Sequence, residues 1–368
     1  MVPKIKNDES HLRLQEGRLR TIRALIPSLA VLLCVMVFPA RKDAPPEPIA
    51  QADTSSHNIL WKADTLGTYG SALLDIFAVS PMCVFAVGVI WDYSGTVPTY
   101  LMKWDGVQWT GLLDDSLRLW ISGGVPLSVH ALADTAVFIT STRFVKIDPL
   151  PMAAYWNGKK WKNITPTTTS LLLGIWAKSL TEVYAVGTHG LIMRYDGSEW
   201  HLVSSPPQLD YQDIFGLPNG DVYATACNPS NSYMGSVLVR LGYNVATVEM
   251  SRGIGRLFSV GGTTTNDLYV VGEGVFHRGT NGTWPEIATP EPLATMLGVF
   301  GRETNDVIVV GSFGKAIHWN GQSWKSFEEL YDRSATSRFY RACVTGSRYF
   351  IVGDTGTRAL LAFGVPQR

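Results

Sequence analysis

The chain has 368 residues with 31 Lys plus Arg against 31 Asp plus Glu, and so even a balance excludes the basic field of a nucleic-acid binder. With 35 glycines, 11% aromatic and only 17% charged residues, the composition favours many short strands joined by tight turns over helices. Length alone would allow two or three domains, but an all-β ring of this size forms one unit.

Residues 1–23 carry Lys4, Lys6, Arg13, Arg18, Arg20 and Arg23 against Asp8, Glu9 and Glu16. From Ala24 to Phe38 the chain is apolar apart from Ser28, with Pro27 inside the stretch. That is short for a membrane span of about twenty residues and fits the apolar region of a signal peptide, with the basic flank directing the remainder outward. Residues 1–40 thus predict a signal peptide. An uncleaved signal-anchor is the alternative, because Phe38 sits three before the cut after Ala40, where a small residue is favoured. The chain would then be tethered to a membrane through residues 24–40, and in either case the location is extracytoplasmic. A lipoprotein reading would use Cys34, yet Leu32-Leu33 lacks the small residue expected before a lipidated cysteine. Residues 41–57, rich in Pro, Ala and acidic or small polar residues, read as a flexible linker.

Beyond that point the sequence repeats. Trp104-Asp105-Gly106-Val107-Gln108-Trp109 recurs as Trp156-Asn157-Gly158-Lys159-Lys160-Trp161, as Tyr195-Asp196-Gly197-Ser198-Glu199-Trp200 and as Trp319-Asn320-Gly321-Gln322-Ser323-Trp324. Asn281-Gly282-Thr283-Trp284 is a shortened copy, and Leu241-Gly242-Tyr243 and Phe363-Gly364-Val365 are degenerate ones. The marker glycines at 106, 158, 197, 242, 282, 321 and 364 are spaced by 52, 39, 45, 40, 39 and 43 residues, the period of a four-stranded blade. Asp-Gly and Asn-Gly suit a type I′ turn between antiparallel strands, and the Trp that follows is expected to fill the seam between neighbouring blades.

Two strands precede each turn. The first appears in Asp75–Val79, Gly174–Ala177, Asp213–Gly216 and Gly298–Gly301. The second appears in Val84–Gly88, Val137–Thr140, Val183–Gly187, Leu268–Gly272, Val307–Gly311 and Tyr349–Gly353, whose near-continuous apolar runs mark strands buried on both faces. Residues 58–368 therefore predict an all-β, seven-bladed β-propeller of four-stranded antiparallel blades. Only four residues follow Gly364, too few for an outer strand, whereas Asn58–Lys62 reads as an outer strand with no blade before it. Residues 58–63 are expected to pair with 357–363 and close the ring, with Trp61 as the missing tryptophan of the last blade.

The long insertions, 89–99, 111–127, 203–212, 228–235 and 327–339, all fall in connections that emerge on one face. They carry Trp91, Asp92, Tyr93, Asp114, Asp115, Trp120, Tyr211, Tyr233, Tyr331, Asp332 and Arg338, a set of aromatic and polar anchors suited to a protein or glycan. The alternative is that these loops cover one another.

No catalytic set, cofactor motif or metal-ligand spacing stands out among the seven histidines and the carboxylates. His318 shares its repeat position with Lys103 and Arg194 and reads as an exposed strand residue. Cys83, Cys227 and Cys343 are either three unpaired thiols or one disulfide and one free thiol. Asn163-Ile164-Thr165 and Asn281-Gly282-Thr283 match the glycosylation sequon, the second being already explained as a turn.

The recurring apolar pair, "VYAVG", "RYDG" and Trp, with His57, Trp61, Asp64-Thr65 and Asp75 at the start, resembles secreted bacterial β-propeller repeat proteins of the hypothetical-lipoprotein class, sometimes labelled glucosyltransferase-like. The resemblance covers residues 54–364 and implies export and a propeller, with no activity or site to carry over. Two functions follow as expectations. One is a non-enzymatic exported binding or scaffold module using the long-loop face. The other is a carbohydrate-active hydrolase or lyase, in which carboxylates from different blades would converge in a pocket within about 5–10 Å.

Overall fold

Runs such as Val84–Val87, Val183–Val186 and Val307–Val310 have no polar side to turn to water, so each is paired on both edges and packed on both faces. A computed structural model describes residues 54–367 apart from 96, 113, 122, 146–147, 206–208, 229–234 and 332–335. Residues 1–40, expected as a signal peptide, and most of the expected linker 41–57 lie outside the described residues.

Seven antiparallel sheets follow one another around a ring. Blade 1 spans residues 72–111, blade 2 126–163, blade 3 172–202, blade 4 210–252, blade 5 257–277 and blade 6 296–326. Blade 5 has three regular strands. Pro285 interrupts its outer edge, where only the bridge between Phe276 and Glu286 remains. Blade 7 joins the strands Arg338–Thr345, Arg348–Asp354 and Ala359–Pro366 to an outer strand from the front of the chain, Ile59–Leu66. The pairing runs from Ile59 opposite Pro366 to Leu66 opposite Ala359, so the ring closes as expected and over a slightly longer stretch. Trp61 lies opposite Gly364 and packs against Phe327 and Tyr349 at 5.2 and 6.1 Å between ring centres.

The marker turns are four-residue loops, a correction to the two-residue type I′ expectation. Trp104 pairs with Trp109, Trp156 with Trp161, Tyr195 with Trp200 and Trp319 with Trp324. Only the glycine takes positive φ, 99° at Gly106 and 97° at Gly197. The Asp or Asn is selected by its side chain instead. Asp105 Oδ1 accepts the N–H groups of Val107 and Gln108, and Asn157 and Asn320 repeat the arrangement.

Each trailing tryptophan sits in the seam with the preceding blade. Trp109 packs into the blade 7–1 core, Trp161 into 1–2, Trp200 into 2–3, Trp284 into 4–5, Trp324 into 5–6 and Trp61 into 6–7. The degenerate copy in blade 4 offers only Ala246 at the seam, where the blade 3–4 core also holds Trp176 and Tyr211 from the inner strands.

His318 is fully buried, against expectation. Its Nε2 donates to Asp306 at 2.9 Å, and the residues just before the closing strand cover it, with His57 Nδ1 at 2.9 Å from His318 Nδ1. Arg194, at the same repeat position, is also buried, its guanidinium 3.7 Å from the centre of the Tyr243 ring of blade 4. Cys83, Cys227 and Cys343 are free, buried thiols, and burial pushes the Cys227 thiol up to about 12.

Candidate functional site

All seven inner strands carry a β-bulge at the same place, with one extra residue inserted: Leu74, Leu127, Leu173, Gln212, Phe258, Leu297 and Tyr340 in blades 1 to 7. The residue after the bulge is Asp75, Ser128, Gly174, Asp213, Ser259, Gly298 and Arg341 in turn. Asp-Ser-Gly is thus written twice around the ring, and the seventh place is an arginine.

Hydrogen bonds explain the order. Asp75 Oδ2 accepts from Ser128 Oγ at 2.7 Å and from the Val129 N–H at 2.9 Å in the next blade. Ser128 Oγ in turn accepts the Ile175 N–H of blade 3 at 3.3 Å. Blades 4 to 6 repeat this wiring. Asp213 Oδ2 takes Ser259 Oγ at 2.6 Å and the Val260 N–H at 3.2 Å, and Ser259 Oγ takes the Val299 N–H at 3.3 Å. Gly298 ends the second triplet because a Cβ there would lie 2.5 Å from the Tyr340 carbonyl oxygen. From blade 7, Arg341 Nη2 reaches across the axis to Asp213 Oδ1 at 3.0 Å, and its Nε lies 3.8 Å from Asp75 Oδ1. Arg341 Nη1 donates to the Leu297 carbonyl at 2.7 Å.

This belt floors a cavity of about 560 Å³ on the propeller axis. Two residues beyond the belt stand Phe77, His130, Trp176, Phe215, Gly261, Phe300 and Cys343, and all but Gly261 line the cavity wall. Phe77 and His130 lie 4.1 Å apart between ring centres, and His130 and Trp176 5.8 Å. Gly216 makes room for the indole, since a Cβ there would meet Trp176 at 2.0 Å. Lys178, Asn219, Thr263 and Arg302, at the ends of the inner strands or in the turns just beyond, form the rim. The mouth therefore faces the short-turn side, opposite the long insertions.

Two groups here depart from their ordinary acidity. Burial, with the nearby Asp213 charge adding to it, pushes the Asp75 carboxyl up to about 6, against the pull of Arg341 and the hydrogen bonds from Val129 and Ser128. Burial lowers His130 to about 3 and keeps it neutral. Its Nδ1 accepts the Ala177 N–H at 3.2 Å, so the ring carries its proton on Nε2.

The residues expected to form a binding face differ in their surroundings. Trp91 and Trp120 are half-buried and pack into the blade 1–2 core, while Asp92 and Tyr93 beside Trp91 are exposed, Tyr93 at 93%. Asp115 pairs with Arg118 at 2.9 Å on the short helix Asp115–Ile121, which Asp114 caps through the Leu117 N–H. Tyr211 is only 1% exposed and does not reach the surface, because it is part of the buried core between blades 3 and 4. The Tyr331 hydroxyl donates to Glu291, and Lys315 lies 3.5 Å from the centre of its ring. Arg338 is exposed at the start of the blade 7 inner strand. Tyr233 and Asp332 lie outside the described residues.

Among the described residues, Asp196, Glu199 and His201 bring three ligand-type atoms within 4.8 Å of one another. Asp196 Oδ1 is occupied by the Ser198 and Glu199 N–H groups and Oδ2 by His201 at 2.7 Å, which is the wiring of the marker loop itself. Among the described residues no helix is long and apolar enough to cross a membrane.

No protein-family model and no curated protein matches the chain. Solved structures do match in fold. YCF48 bound to D1 peptide superposes with a TM-score of 0.62 at 20% identity, covering 83% of this chain and 97% of that one. Virginiamycin B lyase from Staphylococcus aureus gives 0.60 at 10%, covering 83% and 99%, and the WD40 propeller domain of Doa1 gives 0.58 at 11%, covering 84% and 98%. The chain is similar to a peptide-bound propeller, a lyase and a WD40 domain alike, and at these identities the likeness establishes the fold alone.

Proposed function

We propose that this chain is an exported, non-enzymatic binding propeller that seats its ligand in the axial pocket. One observation carries the reading: six of the seven blades place an aromatic residue or a thiol at one register position, around a single cavity of small-molecule size. The belt below supports binding over chemistry. Asp75 and Asp213 come from different blades and converge on one guanidinium, as paired catalytic carboxylates would. Their oxygens, however, are already taken by Ser128, Val129, Ser259, Val260, the Ile76 N–H at 2.8 Å and Arg341. A propeller of similar fold, YCF48, is described as bound to a peptide. Export rests on the basic-flanked apolar stretch before residue 40, and half-buried Trp91 and Trp120 act as covers for the blade 1–2 seam.

The test is a thermal-shift screen of metabolites, peptides and oligosaccharides against the parent chain and Trp176→Leu. A ligand that binds only the folded state raises the melting temperature, by a free energy of about 2.7 kcal/mol at a hundredfold excess over Kd. A pocket ligand shifts the parent and not the variant. Shifts that survive Trp176→Leu would move the site to the long-loop face. A second reading, a carbohydrate-active hydrolase, is favoured by the raised Asp75 carboxyl, which is a suitable general acid. Sugar cleavage that Asp75→Asn abolishes would establish it.

A further inference from the structure

We propose that the axial pocket recognises an organic cation, a quaternary ammonium or substituted amine on a small apolar body. The proposal rests on the pocket being the binding site and adds the chemical class of what enters it.

Charge is the first observation. The belt holds two carboxylates and one guanidinium, and the guanidinium is committed to Asp213 at 3.0 Å while standing 3.8 Å from Asp75. Neutral His130 adds no positive charge. The two rim cations are engaged elsewhere, Lys178 with Glu182 at 3.5 Å and Arg302 with Asp306 at 2.7 Å. The deep pocket therefore carries one negative charge in excess.

Hydrogen-bond capacity is the second. The belt oxygens already accept from side chains and backbone N–H groups, so a ligand that needs directed acceptors, such as a sugar hydroxyl, finds few. An anion meets repulsion. A quaternary ammonium needs no acceptor at all; it needs a negative field and π faces. The wall supplies the faces, with Phe77, His130 and Trp176 in contact along one side and Phe215 and Phe300 lining the cavity as well. Aromatic faces around a negative floor are the general chemistry of ammonium recognition. The wall is also predominantly apolar, which suits the methyl groups of such a cation.

The experiment uses the full chain and two probes of equal shape, choline and its uncharged carbon isostere 3,3-dimethylbutan-1-ol. Titration calorimetry and the tryptophan fluorescence of the same samples report binding. Choline is expected to bind at least ~10-fold more tightly than the isostere at pH 7.5, and Asp75→Asn is expected to shrink that ratio severalfold. The pair of probes on the unmodified chain decides the matter even if the variant fails to fold. Glycerophosphocholine serves as a third probe, binding more tightly than choline if the source is a lipid headgroup and more weakly if it is a free amine. Equal or tighter binding of the isostere would overturn the cation assignment while leaving the pocket a ligand site. Absence of binding by choline up to tens of millimolar would overturn it as well, and the thermal-shift screen then judges the pocket separately.

Discussion

Single residues in this ring have meaning through the residue one blade away. Ser128 looks like an ordinary strand serine until Asp75 and the Ile175 N–H are found on either side of its hydroxyl. Asp75 lends itself to a direct test. Its folded pKa near 6 stands above the ordinary 3.8, so the folded chain holds this proton more tightly than the unfolded one. Its contribution to stability is full below about pH 4 and is lost as pH rises through about 6. Asp75→Asn removes that loss. Urea melts at pH 4, 5, 6 and 7 should show the variant gaining on its parent as pH rises. A difference that stays level across the series would mean that burial does not raise this carboxyl.

At the scale of elements, each blade is a meander whose two inner strands are buried, and in blades 1, 2, 3 and 6 the outer hairpin is held by a wired loop and a seam tryptophan. The tryptophan period was legible because Trp109, Trp161, Trp200 and Trp324 sit at fixed distance from a turn glycine. The belt was legible in part. Asp75-Ile76-Phe77, Gly174-Ile175-Trp176, Asp213-Ile214-Phe215 and Gly298-Val299-Phe300 align by eye, and their leading residues already alternate Asp, Gly, Asp, Gly. Ser128, Ser259 and Arg341 stayed hidden because Val129-His130, Val260-Gly261 and Ala342-Cys343 lack the Phe or Trp that makes the alignment visible. The closing strand is the most consequential element. Ile59–Leu66 supplies the outer edge of blade 7 and places Trp61 in the last seam. Deleting residues 57–64 removes that indole and exposes the Ala359–Pro366 edge, so we expect a sharp fall in melting temperature, with Trp61→Ala alone costing about 3–5 kcal/mol. An unchanged melting temperature would show that blade 7 does not depend on its borrowed strand.

For the whole molecule, closure by pairing means that the ring has no privileged start. The Gln367 N–H donates to the Asn58 carbonyl at 2.7 Å, so the two ends of the propeller are neighbours. A circular permutant that joins them through a four-residue Asn-Gly loop, and opens instead between residues 165 and 166 in the blade 2–3 connection, should unfold in one transition. Its midpoint should lie within a few degrees of the parent. Two separated transitions in calorimetry would show that the native order of blades is itself required.

Blade number, the outer-strand closure and the seam role of the tryptophans were set by the sequence alone, because each depends on a period or on a missing piece of one. The pocket was decided by tertiary structure. Its floor and wall take a few residues from each blade, some forty residues apart, and a strand pattern cannot say which side chains face a shared axis. The same distance explains a misplaced expectation: His318 looks exposed when judged within its own strand, and is buried because the residues just before the closing strand arrive on top of it.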